Sequence, residues 1–178
     1  MIKPTRPEVV LFLGAMLLLG ATLSGAGLAA RAWQLRRMAT RDFRSMEIAI
    51  YDYREQQKKL PVRGKPLEDV RFGTPAAPNR NLCAVLLGAP GQGGDLNPGN
   101  IRYLRVGTAS YRRSGINDKG DLVDPWGQPY QIVLDADDNN VCDMPGTSLS
   151  AAIGVPVAVW SHGPDRKAGT PDDIISWK

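Results

Sequence analysis

From Val9 to Ala30 the chain carries no charged side chain. No other feature constrains the fold as much. About 20 apolar helical residues are what a hydrocarbon core requires, and this run, mostly Leu, Ala, Val and Gly, has 22. A cleaved secretory signal has a shorter apolar region of about 7–15 residues. A core helix is rarely so uniformly apolar. Residues 1–30 are therefore expected to be a retained anchor, transmembrane along the first half of a long helix. Lys3 and Arg6 precede the run, and Arg31, Arg36 and Arg37 follow it. On flanking charge alone the positive-inside rule keeps the following domain in the cytoplasm. Long domains can translocate regardless of that charge, so the decision falls to motifs further along.

No helix breaker occurs between Ala29 and Leu60. Leu35, Met38, Phe43, Met46, Ile50 and Tyr53 recur at spacings of three to five, which marks one apolar helical face. Arg41, Asp42, Arg44, Arg54 and Glu55 are assigned to the opposite face. Lys58 and Lys59 are placed in the last turn, where cations suit the helix dipole, and Pro61 is the stop signal. Residues 31–60 thus read as an amphipathic continuation of the anchor helix. The competing expectation is two helices with a joint near Ser24–Gly27.

Residues 61–178 read as one globular domain. Residues 61–81 and 88–100, rich in Pro, Gly and Asn, are expected to be loops, with a helical turn over Asn81–Leu87 between them. Short strands are predicted at Ile101–Val106, Tyr130–Leu134 and Val155–Trp160, with an edge strand at Ile174–Trp177. One long helix on a small antiparallel sheet gives an α+β class.

Charge is uneven along the chain. Residues 1–116 hold 18 Lys and Arg against 8 Asp and Glu, whereas residues 117–178 hold 4 against 10. A nucleic-acid binder would be basic along a continuous surface, so no nucleic-acid partner is expected. The two cysteines, Cys83 and Cys142, form no CxxC, and the sole histidine is His162. A His/Cys zinc site is therefore not expected. A single disulfide and two buried thiols are both open readings.

Most of the candidate chemistry lies in the C-terminal stretch from Trp160 to Ile174. Asp165, Asp172 and Asp173 flank a Gly/Pro loop, and Gly163 and Gly169 let the backbone turn back on itself. Three clustered carboxylates repel unless a cation neutralises them. Ca²⁺ accepts 6–8 oxygens, including loop carbonyls. On composition alone, an Asp-rich surface turn and a metal loop both remain open. A second acidic stretch, Asp135 to Asn140, lacks the Gly and Glu of an EF-hand and is read as an exposed hairpin turn, with metal as the alternative.

Three stretches carry a resemblance. They are Asp124-Pro125-Trp126-Gly127-Gln128-Pro129-Tyr130, Val159-Trp160-Ser161-His162-Gly163-Pro164-Asp165, and Gly169-Thr170-Pro171-Asp172-Asp173-Ile174. In them the chain resembles the major pseudopilins of type II secretion and related type IV pilin-like proteins. The resemblance implies a pilin-like fold and a structural Ca²⁺ bound by Asp165, Asp172 and Asp173, with the backbone carbonyl of His162. It also implies an inner-membrane partner, homo-oligomers or other pseudopilin subunits, and a bacterial inner-membrane location with the domain in the periplasm. Family members also carry a Gly followed by Phe-Thr-Leu-x-Glu at the start of the span. Here only Glu8 stands near that position, and an uncleaved anchor is expected.

The Asp124–Tyr130 turn also has a plain structural reading. Pro125 presets the turn, Asp124 bonds its backbone and Gly127 takes the awkward conformation. No nucleophile-elbow, phosphate-loop or metalloprotease signature occurs. Ser161 and His162 are adjacent, so on a strand they point to opposite faces. Neither an enzyme nor a small-molecule substrate is expected. The function read from the sequence is a structural subunit of a secretion or pilus-like machine. The alternative is a monomeric, membrane-anchored periplasmic binding module with a pilin-like fold.

Overall fold

The computed structural model describes residues 6–91, 93–144 and 152–177, with side chains omitted for residues 6–26, 152 and 153. The chain divides into two units, residues 1–35 and 36–178. A single helix, α1 (Arg6–Gln57), contributes to both. No joint interrupts it near Ser24–Gly27. In the first unit the described side chains of α1 are exposed or half-buried, with Leu28 and Trp33 both well exposed.

The inner-membrane, single-pass placement is corrected by the structure. Among the described residues no helix is long and apolar enough to cross a membrane. From Arg31 onward α1 is studded with Arg, and its apolar stripe is committed to a protein core. Most of the charge-free run, residues 9–26, lies outside the described side chains.

In the second unit, Ala39, Phe43, Met46, Ala49, Ile50 and Tyr53 are all buried, so the apolar periodicity of α1 does mark its core face. Asp42 is an exception to the expected pattern: it is buried rather than solvated. At 100° per residue it lies beside Phe43 and Met46 on the edge of that face. The helix ends earlier than Pro61 suggests. Lys58 adopts φ 53° and donates its N–H to the Arg54 carbonyl, so Arg54 rather than Lys58 and Lys59 occupies the last turn.

After α1 come β1 (Val70–Phe72), α2 (Arg80–Leu87), a 3₁₀ turn (Gly94–Leu96), β2 (Gly115–Ile116) and β3 (Leu122–Val123). They are followed by β4 (Gln131–Leu134), β5 (Val141–Cys142), β6 (Ala152–Ile153), β7 (Val157–Ser161) and β8 (Ile174–Ile175). The main sheet has the order β1-β4-β7-β8 and is antiparallel throughout. β2 pairs with β3, and β5 with β6.

Register explains why β4 and β7 are buried on both sides. Ile132 pairs with Val159 and Leu134 with Val157, and all four join the core under α1. The intervening Val133, Ala158 and Trp160 point the other way. They build a second, smaller core with Cys142 and Met144, which Trp177 closes edge-on against Trp160.

Two sequence expectations fail here. Ile101–Val106 forms no strand: Tyr103 and Leu104 are buried next to each other, and both donate to the carbonyl of Leu86. β1 lies inside a stretch expected to be loop. Cys83 and Cys142 are both buried and free, and they belong to different cores.

Candidate functional site

The Asp124 turn sits at the junction of the sheet and the C-terminal loop. Asp124 Oδ1 accepts the N–H groups of Trp126 and Gln128, both at 2.9 Å. Gly127 takes φ 83° and donates to the Asp124 carbonyl. The turn is thus held as the sequence reading requires. Asp124 Oδ2 accepts from Ser161 Oγ at 2.6 Å, and Ser161 Oγ in turn accepts the N–H of Gly163. Burial raises the pKa of Asp124, against the pull of these bonds. Ser161 is therefore spent on positioning the start of the C-terminal loop.

Tyr130, at the end of the same turn, meets α1. Its ring packs edge-on against Phe43 at 5.6 Å, and its hydroxyl donates to Asp42 Oδ2 at 2.8 Å. Burial is also the main reason the Asp42 pKa is raised. Sequence reasoning missed this pair because Asp42 was placed on the solvated face.

The loop from His162 to Asp173 is fastened by its own acids. Asp172 Oδ2 accepts the N–H of Asp165, and Asp172 Oδ1 accepts from Thr170 Oγ1 at 2.6 Å. These bonds, the threonine first, lower the pKa of Asp172. Asp165 Oδ1 accepts the N–H of Lys167, and Asp173 Oδ2 that of Gly169. The loop is also tied outward. Arg36 on α1 donates to the Asp172 carbonyl, and Arg166 to that of Trp126.

Two features of this loop fit a cation. Asp173 Oδ1 is shielded from solvent and has no hydrogen-bond partner. A carboxylate oxygen in that condition is costly unless something positive faces it. Gly163, at φ 67°, lies so close to Asp172 that an added Cβ would collide with its carbonyl and come within 2.9 Å of Oδ2. The backbone is thus drawn in around the carboxylates. The four predicted residues stand in one loop, but Asp165, Asp172 and Asp173 do not converge as a three-carboxylate cluster. His162 also lines a hollow of about 420 Å³ with Arg71, Arg80 and Gln131, and its Nε2 is shielded from solvent without a hydrogen-bond partner.

The three acidic side chains that do converge among the described residues are Asp69, Asp135 and Asp137, with ligand atoms within 4.8 Å of one another. Asp135 is buried, which corrects the exposed-turn reading at that position. Its two oxygens accept the N–H groups of Asn139 and Asn140, and the oxygens of Asp69 accept those of Ala136 and Asp143. Asp137 is bonded to Asn139. These acids brace the loop between β4 and β5. Asp69 is 66 positions from Asp135 in the chain, and no local pattern announces the pairing.

Comparison of the chain with protein-family models, with characterised proteins and with solved structures finds no match.

Proposed function

We propose that this chain is a pilin-like structural subunit, of the kind that builds type II secretion pseudopili and type IV pili, and that a bound Ca²⁺ steadies its C-terminal loop. The reading rests most on one observation: the C-terminal loop is latched at once to the long helix, through Arg36 and Asp172, and to the Asp124 turn, through Arg166 and Ser161. A subunit that assembles side by side with its copies needs that helix held firmly against its sheet. The exposed side of α1 supports the reading too, because Ile48 and Tyr51 stand well exposed there, as a surface awaiting neighbours would.

In this reading Asp165, Asp172, Asp173 and the carbonyl of His162 hold Ca²⁺, a hard cation suited to oxygen donors. The ion stabilises the loop and performs no chemistry. Thermal melting in Ca²⁺ and in excess chelator tests this part: a higher Tm with Ca²⁺ is expected, and an identical Tm removes the ion from the reading. Cross-linking of the full chain tests assembly. A ladder of oligomers is expected, and a lone monomer would replace the subunit with a monomeric binding module of the same fold.

A further inference from the structure

The turn at Tyr111–Arg112 protrudes without an evident role within the domain. Ser110 and Arg113 exchange backbone hydrogen bonds of 3.1 and 3.0 Å, leaving Tyr111 and Arg112 at the tip of a two-residue hairpin. Tyr111 is 87 % exposed, and the Arg112 guanidinium lies 5.2 Å from the centre of its ring. Arg112 takes φ 56°, a conformation that glycine adopts freely and other residues only at a cost. An arginine kept in that place, stacked on a bare aromatic ring and followed by exposed Arg113, makes a basic, aromatic knob. Tyr and Arg are the side chains most enriched where protein surfaces bind tightly.

Elsewhere in the same unit lies a hollow of about 440 Å³ lined by Glu68, Asp69, Arg71, Asp137, Asp143 and Met144. Among the described residues that line it, four are acids and one is an arginine, whose guanidinium already bonds Gln131 and lies over the Trp160 ring. Burial, together with the nearby charges of Asp137 and Asp135, raises the pKa of Asp69. An added cation would relieve that repulsion.

We propose that the Tyr111–Arg113 turn of one copy seats in the Glu68/Asp69/Asp137/Asp143 hollow of the next. This rests on the subunit reading above and names the contact through which copies meet. Knob and hollow share no residue, so the contact is head-to-tail and repeats along an open array rather than closing as a two-fold dimer. Opposite charge sets its register and its salt dependence.

A charge exchange tests it in the full chain, followed by sedimentation at low and at physiological salt. One variant carries R112E/R113E and the other E68K/D143K; among the described residues neither pair removes a side-chain hydrogen bond that holds a loop. Each variant alone juxtaposes like charges, and its self-association is expected to fall by about tenfold or more. Mixed, the acidic knob meets the basic hollow and the basic knob meets the acidic one, so association returns. Y111A is expected to weaken the wild-type contact without changing its salt dependence. Circular dichroism melts confirm that each variant folds, and R112A/R113A serves as a milder pair if either does not. Variants that associate like wild type, or a mixture that stays apart, overturn this contact while leaving the subunit reading intact. A wild-type chain that never associates overturns both.

Discussion

The two acidic loops of this protein use similar residues to different ends. The loop after β4 turns Asp135 inward and leaves Asp137 and Asp138 exposed. Asp135 and Asp69 give their oxygens to backbone N–H groups, so these two buried or half-buried acids already have partners. The loop after β7 satisfies most of its acids in the same way but leaves Asp173 Oδ1 shielded and unpartnered. An acidic cluster is therefore not a metal site by its composition. What separates the two is whether the chain's own amides have already used up the oxygens.

The comparison can be broken in several places. The largest effect is expected from Gly163→Ala. The new Cβ would collide with the Asp172 carbonyl at a positive φ, and stability in denaturant melts should fall by roughly 3 kcal/mol. Unchanged stability would mean the loop is slack. Next, Asp135→Ala strips the acceptor from two loop amides and should cost about 2 kcal/mol, with or without Ca²⁺. A loss that Ca²⁺ reverses would give the β4 loop a metal role after all.

The ion supplies a third, smaller effect. Ca²⁺ at ten times its Kd should stabilise the wild type by about 1.4 kcal/mol. Asp173→Asn should abolish that gain and Asp137→Asn should leave it, as read by Tm. The reverse pattern would exchange the roles of the loops.

Smallest are the pH responses, which carry opposite signs. The Asp69 pKa is raised from its ordinary 3.8, so the folded state binds the proton more tightly. Its stabilising share is lost as pH rises from 3.8 through the raised value, and Asp69→Asn should flatten that slope. The Asp172 pKa is lowered from 3.8, so its share is present above 3.8 and is lost as pH falls through the lowered value. Asp172→Asn should blunt the acid limb alone. Chemical denaturation between pH 3 and about 7 separates the two.

The sequence spoke clearly where local rules act alone. The core face of α1, α2, β4, β7 and the Asp124 turn follow from periodicity, apolar runs and turn chemistry. It was silent where partners are distant. β1 is three residues long and is a strand only because Leu134 and Ile132 lie opposite Val70 and Phe72. Ile101–Val106 alternates as a strand should, yet finds no partner strand. Asp42 looked like one more surface acid until Tyr130, 88 positions on, claimed it. The charge-free run at the N-terminus suggested a spanning helix, and that expectation is not carried by any helix among the described residues.

The order in which the chain is made gives α1 one further property. Its apolar face is completed once Tyr53 is synthesised, but the strand residues that join its core, Ile132 and Leu134 of β4 and Val157 and Val159 of β7, come 79 to 106 residues later. Contacts so distant form late. While the chain is being synthesised, Tyr53 can meet Tyr103 early, but the part of the flank that β4 and β7 cover stays bare until nearly the last strand arrives, and a growing chain in that state invites chaperones and unwanted neighbours alike.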